Sequence, residues 1–153
     1  IERIQKLNLC CYIQSAFIED DAQMVKECIP RPLAASSYAF KTLLETVPTG
    51  NGSDSPVCVP DVLRGIQLAM TRCDSHGNVL NADQAMTLDQ AIESYTSKAA
   101  YTLNLETKTG TLAEGYYADF VVLDKDLSKE KVEDIDKVKV MMTVVNGETV
   151  FER

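Results

Sequence analysis

At 153 residues, with 45% apolar and 25% charged positions, the sequence is long enough to bury a core and too apolar for disorder, so a globular fold is expected. Fifteen Lys plus Arg against 23 Asp plus Glu leave a formal net charge of -8, which opposes attachment to phosphate backbones and anionic lipid. Nucleic acid and membrane are therefore excluded as expected partners.

The cysteines, Cys10, Cys11, Cys28, Cys58 and Cys73, are odd in number and form no CxxC pair. Neither a disulfide framework nor a thiolate zinc site is indicated. With no run of about 18 apolar residues and no leader-like start, reduced thiols in a cytoplasmic protein are the default expectation.

In chain order, Ile1-Glu2-Arg3-Ile4-Gln5-Lys6-Leu7 reads as the last turn of an amphipathic helix. With no initial methionine before it, an excised piece of a longer protein is expected. Leu9-Cys10-Cys11-Tyr12-Ile13-Gln14 has the nearly continuous apolar pattern of a strand buried on both faces of a parallel sheet. Tyr38 to Thr46 places Phe40, Leu43, Leu44 and Val47 at helical spacing. Pro48-Thr49-Gly50-Asn51-Gly52-Ser53-Asp54 reads as a glycine-rich turn with room for a very short strand. Pro60 suits the first turn of a helix bearing Val62, Leu63, Ile66 and Met70. A polar loop runs from Cys73 to Ala85, and Thr87 with Gln90 then forms a capping box for a helix whose stripe is Leu88, Ala91, Ile92, Tyr95 and Ala99.

Past Leu105 the pattern becomes β-rich. Phe120-Val121-Val122-Leu123 reads as a buried strand, Asp124 to Lys139 as a solvated charged segment, and Val140 to Phe151 as a hairpin turning at Asn146-Gly147.

Gly52-Ser53-Asp54-Ser55-Pro56-Val57 is the most informative short stretch. A glycine before a carboxylate permits close approach of backbone or ligand, although Asp in such a setting is more often a turn or capping residue. Gln14, at a strand end, is a candidate pocket-lining group with an ordinary strand cap as the alternative. Tyr38 and Lys41, read as one helical turn apart, are candidates to reach substrate, the alternative being a solvated helix face. Cys73-Asp74-Ser75-His76 reads as a surface loop in preference to a metal clip, and Asp119 as a hydrogen-bonding turn residue.

Together with Met70-Thr71-Arg72, Met86-Thr87-Leu88-Asp89-Gln90-Ala91-Ile92 and Gly110-Thr111-Leu112-Ala113-Glu114-Gly115-Tyr116-Tyr117-Ala118-Asp119-Phe120-Val121-Val122-Leu123-Asp124, the Asp54 stretch resembles the C-terminal region of the YtcJ-like branch of the amidohydrolase superfamily. The resemblance implies an α/β fold in which residues 1–105 are the C-terminal part of a (β/α)8 metal-dependent hydrolase barrel. Residues 106–153 would supply the C-terminal strands of a small composite β-sandwich. It places Leu9 to Gln14 at the seventh barrel strand and Gly52 to Asp54 at the eighth. Asp54 then matches the metal-site aspartate and general base, and the activity implied is hydrolysis of non-peptide carbon–nitrogen bonds in a small-molecule substrate.

A divalent metal, by preference zinc, is implied for the intact enzyme. None is expected in the isolated chain, because the family's His-x-His pair and further histidines are missing and the one histidine is His76. The expected partners are the remainder of the barrel and a second copy of the chain in a homo-oligomer. The alternative is a non-catalytic regulatory or interaction domain, as in relatives described as exoenzyme regulatory proteins. Two departures from the family pattern stand out: the polar Pro48-Thr49-Gly50-Asn51 before Asp54, where relatives are apolar, and a slightly short spacing from Leu44 to Gly52.

Overall fold

The computed structural model describes residues 1–153. A one-turn helix α1 (Glu2–Lys6) leads into strand β1 (Cys11–Ile13), which pairs in parallel with β2 (Thr49–Asn51), Cys11 lying opposite Thr49 and Ile13 opposite Asn51. Parallel neighbours require a crossover. Here it consists of a 3-10 turn at Ser15–Phe17 and helices α2 (Ile18–Cys28), α3 (Arg31–Ala34) and α4 (Phe40–Thr46).

The sequence reading misses α2. Its signal is nonetheless present, with Ile18, Ala22 and Val25 forming the buried stripe and Glu19, Asp20 and Asp21 placing negative charge on the positive end of the helix dipole. β1 is shorter and more one-sided than expected: Ile13 is buried, while Tyr12 is 55% exposed and donates its hydroxyl hydrogen to the Thr102 carbonyl at 3.0 Å. The expected strand at Gly52 to Asp54 also shifts. The strand occupies Thr49–Asn51, and pairing ends as Gly52 N donates to Ile13 O at 3.0 Å.

Helix α5 (Val62–Thr71) begins after Asp61, whose carboxylate accepts from Arg64 N at 3.0 Å, so Asp61 rather than Pro60 sets its start. Helix α6 (Leu88–Tyr95) starts at the Thr87–Gln90 capping box, as read from the sequence. The stripe from Leu88 to Ala99 does not form one helix, however. Thr96, at φ -121° and ψ -99°, breaks it before α7 (Ser97–Thr102). α5 is shared by two apolar clusters. Ile66 and Ala69 pack with Ile13, Leu44, Met86, Ala91 and Ile135, while Leu68 packs with Ile18, Ala22, Val25 and Leu80. Each large side chain so buried contributes on the order of 1.5–3 kcal/mol.

The final section is a three-stranded antiparallel sheet of β3 (Phe120–Leu123), β4 (Val140–Val145) and β5 (Glu148–Glu152) in that order. Asn146 and Gly147 take the positive φ values, 51° and 81°, that a two-residue hairpin turn requires. Two expectations are corrected here. β3 is not buried, because Val121 and Val122, which alternate between the two faces of the sheet, are 54% and 43% exposed. Nor is Asp124 to Lys139 merely solvated: a 3-10 segment, Val132–Lys137, seats on α5 with Ile135 and Val138 buried. Gln67 Nε2 donates to Asp136 Oδ1 at 2.9 Å and to Val132 O at 3.1 Å. Apolar residues at 132, 135 and 138 follow the three-residue repeat of such a helix, and the charges occupy the positions between.

Gly65 on α5 faces Tyr95 on α6 so closely that an added Cβ would overlap the Tyr95 hydroxyl. Gly65→Ala should therefore destabilise the chain by about 1–3 kcal/mol despite the higher helix propensity of alanine. Chemical denaturation reads the change, and a stability equal to wild type would show that the α5–α6 contact yields freely.

Several C-terminal carboxylates are held below the usual range. Asp119 is lowered by the Asn146 amide and the Thr109 hydroxyl, and Asp126 is lowered to about 2 by Ser128 and Lys129. Depressed carboxylate pKa values stabilise the folded state above the unfolded value of about 4, and that stability is lost as pH falls through the folded value. Carbon-detected NMR titration should place the Asp126 midpoint near 2. The β-rich section should loosen between pH of about 4 and about 2, and a midpoint at the ordinary aspartate value would contradict the hydrogen-bonded turn.

Candidate functional site

Because β1 and β2 run parallel, both C-terminal ends open on one side of the molecule, and that side gathers the groups able to do chemistry. Gln14 and Ser15 leave β1 there, and Gly52, Ser53 and Asp54 leave β2. The two ends are joined through the side chain of Asn51. Its Oδ1 accepts from Ser15 N at 3.0 Å and Gly52 N at 3.0 Å, and its Nδ2 donates to Ser15 Oγ at 2.8 Å and Ser94 Oγ at 3.2 Å. All three side chains are buried.

Asp54 stands just beyond this junction in a left-handed conformation, φ 55°, which aspartate tolerates better than most residues. Its carbonyl accepts from Val57 N at 2.9 Å, closing a turn, while its exposed carboxylate takes no hydrogen bond from the chain. It is thus both a turn residue through its backbone and a free oxygen donor through its side chain. Cys58 lies in the same region: burial, then the carboxylates of Asp20, Asp21 and Asp54, push its thiol up.

The other residues singled out from the sequence are dispersed. Gln14 is half-buried, and its carbonyl accepts from Phe17 N at 3.1 Å. Tyr38 is not one helical turn from Lys41. It lies before α4, at φ 51°, and its hydroxyl donates to Asp21 Oδ2. Burial and that contact raise its pKa above the normal tyrosine range. Lys41, half-buried on the first turn of α4, makes no ion pair. His76 is exposed in a loop organised by Asp74, whose carboxylate accepts from His76 N, Asn78 N and Asn78 Nδ2 at 2.7 to 2.9 Å. Asp119 accepts from Asn146 N and the Thr109 hydroxyl, both at 2.7 Å, so it ties the approach to β3 to the hairpin turn.

Sequence reasoning missed Asn51 and Arg72. The hint of Asn51 is an amide between glycines in a segment that is apolar in relatives of the family it resembles. Arg72 follows the apolar face of α5 and is fully buried. Its Nε donates to Leu80 O at 3.0 Å, its Nη2 donates to Tyr38 O at 2.9 Å, and its guanidinium lies 5.2 Å from the Phe40 ring centroid. Burial lowers its pKa to about 10.

A catalytic zinc site takes about three protein ligands. Nowhere does the chain bring three or more His, Cys, Asp or Glu side chains together at a point where a metal could sit. Asp54 offers one oxygen donor, so the residues of this chain do not form a metal site by themselves.

The sequence profile of the amidohydrolase family matches residues 1–151. The chain is 31% identical over 157 aligned positions to YtcJ of Bacillus subtilis (strain 168), which its name places among the amidohydrolases. That alignment covers 100% of this chain and 30% of YtcJ. N-substituted formamide deformylase of Arthrobacter pascens is 29% identical over 85 residues, covering 56% of this chain and 16% of that enzyme. Among solved structures, an uncharacterized metal-dependent hydrolase from Pyrococcus horikoshii superposes with a TM-score of 0.76 at 29% identity. The superposition covers 86% of this chain and 27% of that one. The chain therefore spans less than a third of the length of these relatives. On the match over nearly its whole length, the chain belongs to the amidohydrolase family.

Proposed function

We propose that this chain is the C-terminal part of a metal-dependent hydrolase that cleaves carbon–nitrogen bonds other than peptide bonds in a small molecule. On this reading β1 and β2 are the last two strands of a (β/α)8 barrel made in part by residues 1–105. Residues 106–153 are the C-terminal share of a composite β-sandwich. The observation that carries the reading is the position of Asp54, just past the C-terminal end of a parallel strand, with a carboxylate that no other group of the chain occupies. In (β/α)8 enzymes the strand ends on that face carry the catalytic groups. The metal-dependent hydrolase from P. horikoshii and the formamide deformylase support the choice of chemistry.

Asp54 is assigned as the metal-site aspartate and general base. It takes a proton from the attacking water and passes it to the leaving nitrogen, which must be protonated to depart as a neutral amine. The metal, zinc by preference, would be held by Asp54 together with ligands from outside these 153 residues. Gln14, at the neighbouring strand end, is assigned to the pocket wall. Tyr38 and Lys41 are weaker candidates, Tyr38 because its hydroxyl is already committed to Asp21.

The reading also bears on association. Tyr12, Val121, Val122, Val150 and Phe151 are exposed by 42% to 61%, and both edges of the β1–β2 pair are open. Open edges and apolar faces of this kind are removed by packing or self-association. Sedimentation velocity of the isolated chain should show oligomers, and a stable monodisperse monomer would count against the truncated-barrel reading.

The direct test uses the full-length protein and a panel of small formamides, amides and ureas, with amine or ammonia release as the readout. Asp54→Asn retains the shape but removes the proton acceptor, and turnover should fall by about two to four orders of magnitude. Asp119→Asn, at a structural turn, should cost stability and leave turnover per folded molecule nearly unchanged. Near wild-type turnover in Asp54→Asn removes the catalytic assignment. Absence of turnover on every compound, with no histidines upstream at metal-ligand spacing, favours a non-catalytic regulatory domain instead.

A further inference from the structure

Asn51 is the last residue of β2 and precedes Asp54 by three positions. It is 9% exposed, and both ends of its amide are fully engaged. Two backbone N–H groups donate to Oδ1, and two serine hydroxyl oxygens accept from Nδ2. The Ser94 hydroxyl passes its own hydrogen to Ala91 O at 2.7 Å, so the network is satisfied to its end within α6.

Buried hydrogen bonds yield little net stability once the lost hydration is counted, although an apolar side chain here would strand the Ser15 N–H, whose acceptor is Asn51 Oδ1. What the amide adds is direction. A planar group held by four hydrogen bonds has one orientation, and fully satisfied buried networks of this kind specify a unique arrangement. The groups it joins are Ser15, two residues past β1, Gly52, the residue after β2, and Ser94 in the last turn of α6, which packs on β2.

The turn that follows has little to hold it in place. Gly52 N is shared between Ile13 O and Asn51 Oδ1, and between there and Cys58 the one backbone hydrogen bond is Val57 N to Asp54 O. The direction in which the chain leaves β2 therefore governs where the turn stands. We infer that Asn51 is a positioning residue: its amide locks the exit of β2 to the end of β1 and so sets the place of the Asp54 carboxylate. The anchoring stands on geometry alone, while its meaning for catalysis rests on the reading of Asp54 proposed above.

Hydrogen–deuterium exchange by NMR on the full-length protein tests the anchoring. In the wild type, the Ser15 and Gly52 amides and the Asn51 side-chain NH2 should be protected together. Exchange of that NH2 at the rate of an exposed amide overturns the inference without the need for any variant.

Asn51→Leu is then compared with Ser94→Ala, which loosens the tie to α6 but leaves the Oδ1 bonds to Ser15 and Gly52 in place. At matched global stability, Asn51→Leu should raise exchange at Gly52, Ser53, Asp54 and Val57 by about tenfold or more over Ser94→Ala. Equal exchange in the two variants overturns the inference. In the full-length enzyme, Asn51→Leu should lower kcat by about tenfold or more with KM little changed, as expected when a reacting group is misplaced but substrate contacts remain. The two proposals fail separately. If Asp54→Asn retains turnover while the exchange difference holds, the role of Asp54 falls and the anchoring stands. If Asp54→Asn abolishes turnover and exchange ignores Asn51, the anchoring falls and the role of Asp54 stands.

Discussion

A parallel pair of three-residue strands has too few ladder hydrogen bonds to hold its own register in water, because even longer two-stranded sheets are marginal alone. The register of β1 on β2 is held instead by what packs over it and what crosses its end. Ile13 drives into the main apolar cluster, and Gly50 lets α7 approach so closely that an added Cβ would lie 3.3 Å from the Ala99 Cα. The Asn51 amide then closes the open end. Removing it would leave the Ser15 amide without its acceptor and Gly52 N with Ile13 O alone, and an unmet buried donor is costly enough to make this side chain a constraint on its surroundings.

Around that platform the connecting segments form a layer of their own. α2 and α5 face each other through Ile18, Ala22, Val25 and Leu68, and the polar groups at the margin of this contact form a chain. Ser75 N donates to Glu19, Glu19 pairs with Arg64, Arg64 bonds Gln67, and Gln67 reaches Asp136 and the Val132 carbonyl. Arg64 and Glu19 are each about 30% exposed, so their ion pair adds at most about 1 kcal/mol, and cohesion comes from the apolar cluster. The polar chain instead selects one arrangement of α2, α5 and the 3-10 segment at Val132–Lys137. Arg72 makes the same trade more steeply. Burying a guanidinium without a carboxylate partner opposes folding, but its contact to Tyr38 O holds the turn before α4, and its contact to Leu80 O the loop after α5, against the end of that helix.

The sequence disclosed those parts of the fold whose cause is local. The Thr87–Gln90 capping box and the Asn146-Gly147 hairpin are set by residues a few positions apart, and both form where the pattern indicates. Features decided by distant partners were hidden. β2 reads as a polar turn because Thr49, Gly50 and Asn51 owe their burial to Val47, α7 and Ser15 rather than to apolar character. Val132, Ile135 and Val138 disappear among charges because a 3-10 repeat exposes two residues in every three, and here those two are charged each time. Thr96 breaks an apparently continuous helical stripe so that α7 can lie along β2. In the candidate site, the turn at Asp54 is legible because glycine, aspartate and proline cluster there, while its catalytic assignment comes from the family resemblance; Asn51 is not legible, since an isolated asparagine has no pattern.

The location of Asp54 and the shortage of other metal donors fit together on the proposed reading. A carboxylate already bonded to its own chain, as Asp119 and Asp74 are, has its lone pairs committed and its basicity lowered. At Asp54 the turn hydrogen bond goes to the carbonyl of a left-handed residue, and the carboxylate takes no hydrogen bond from the chain. The same fold thus contains two kinds of turn aspartate, distinguished by whether the carboxylate itself takes hydrogen bonds from the chain. Where it does, as at Asp74 and Asp119, the side chain is used up in structure. At Asp54 only the carbonyl accepts, and the open side chain stands at the end of the molecule where two parallel strands open together. An open carboxylate needs a rigid base if it is to meet ligands supplied from elsewhere, and the buried amide beneath it provides one.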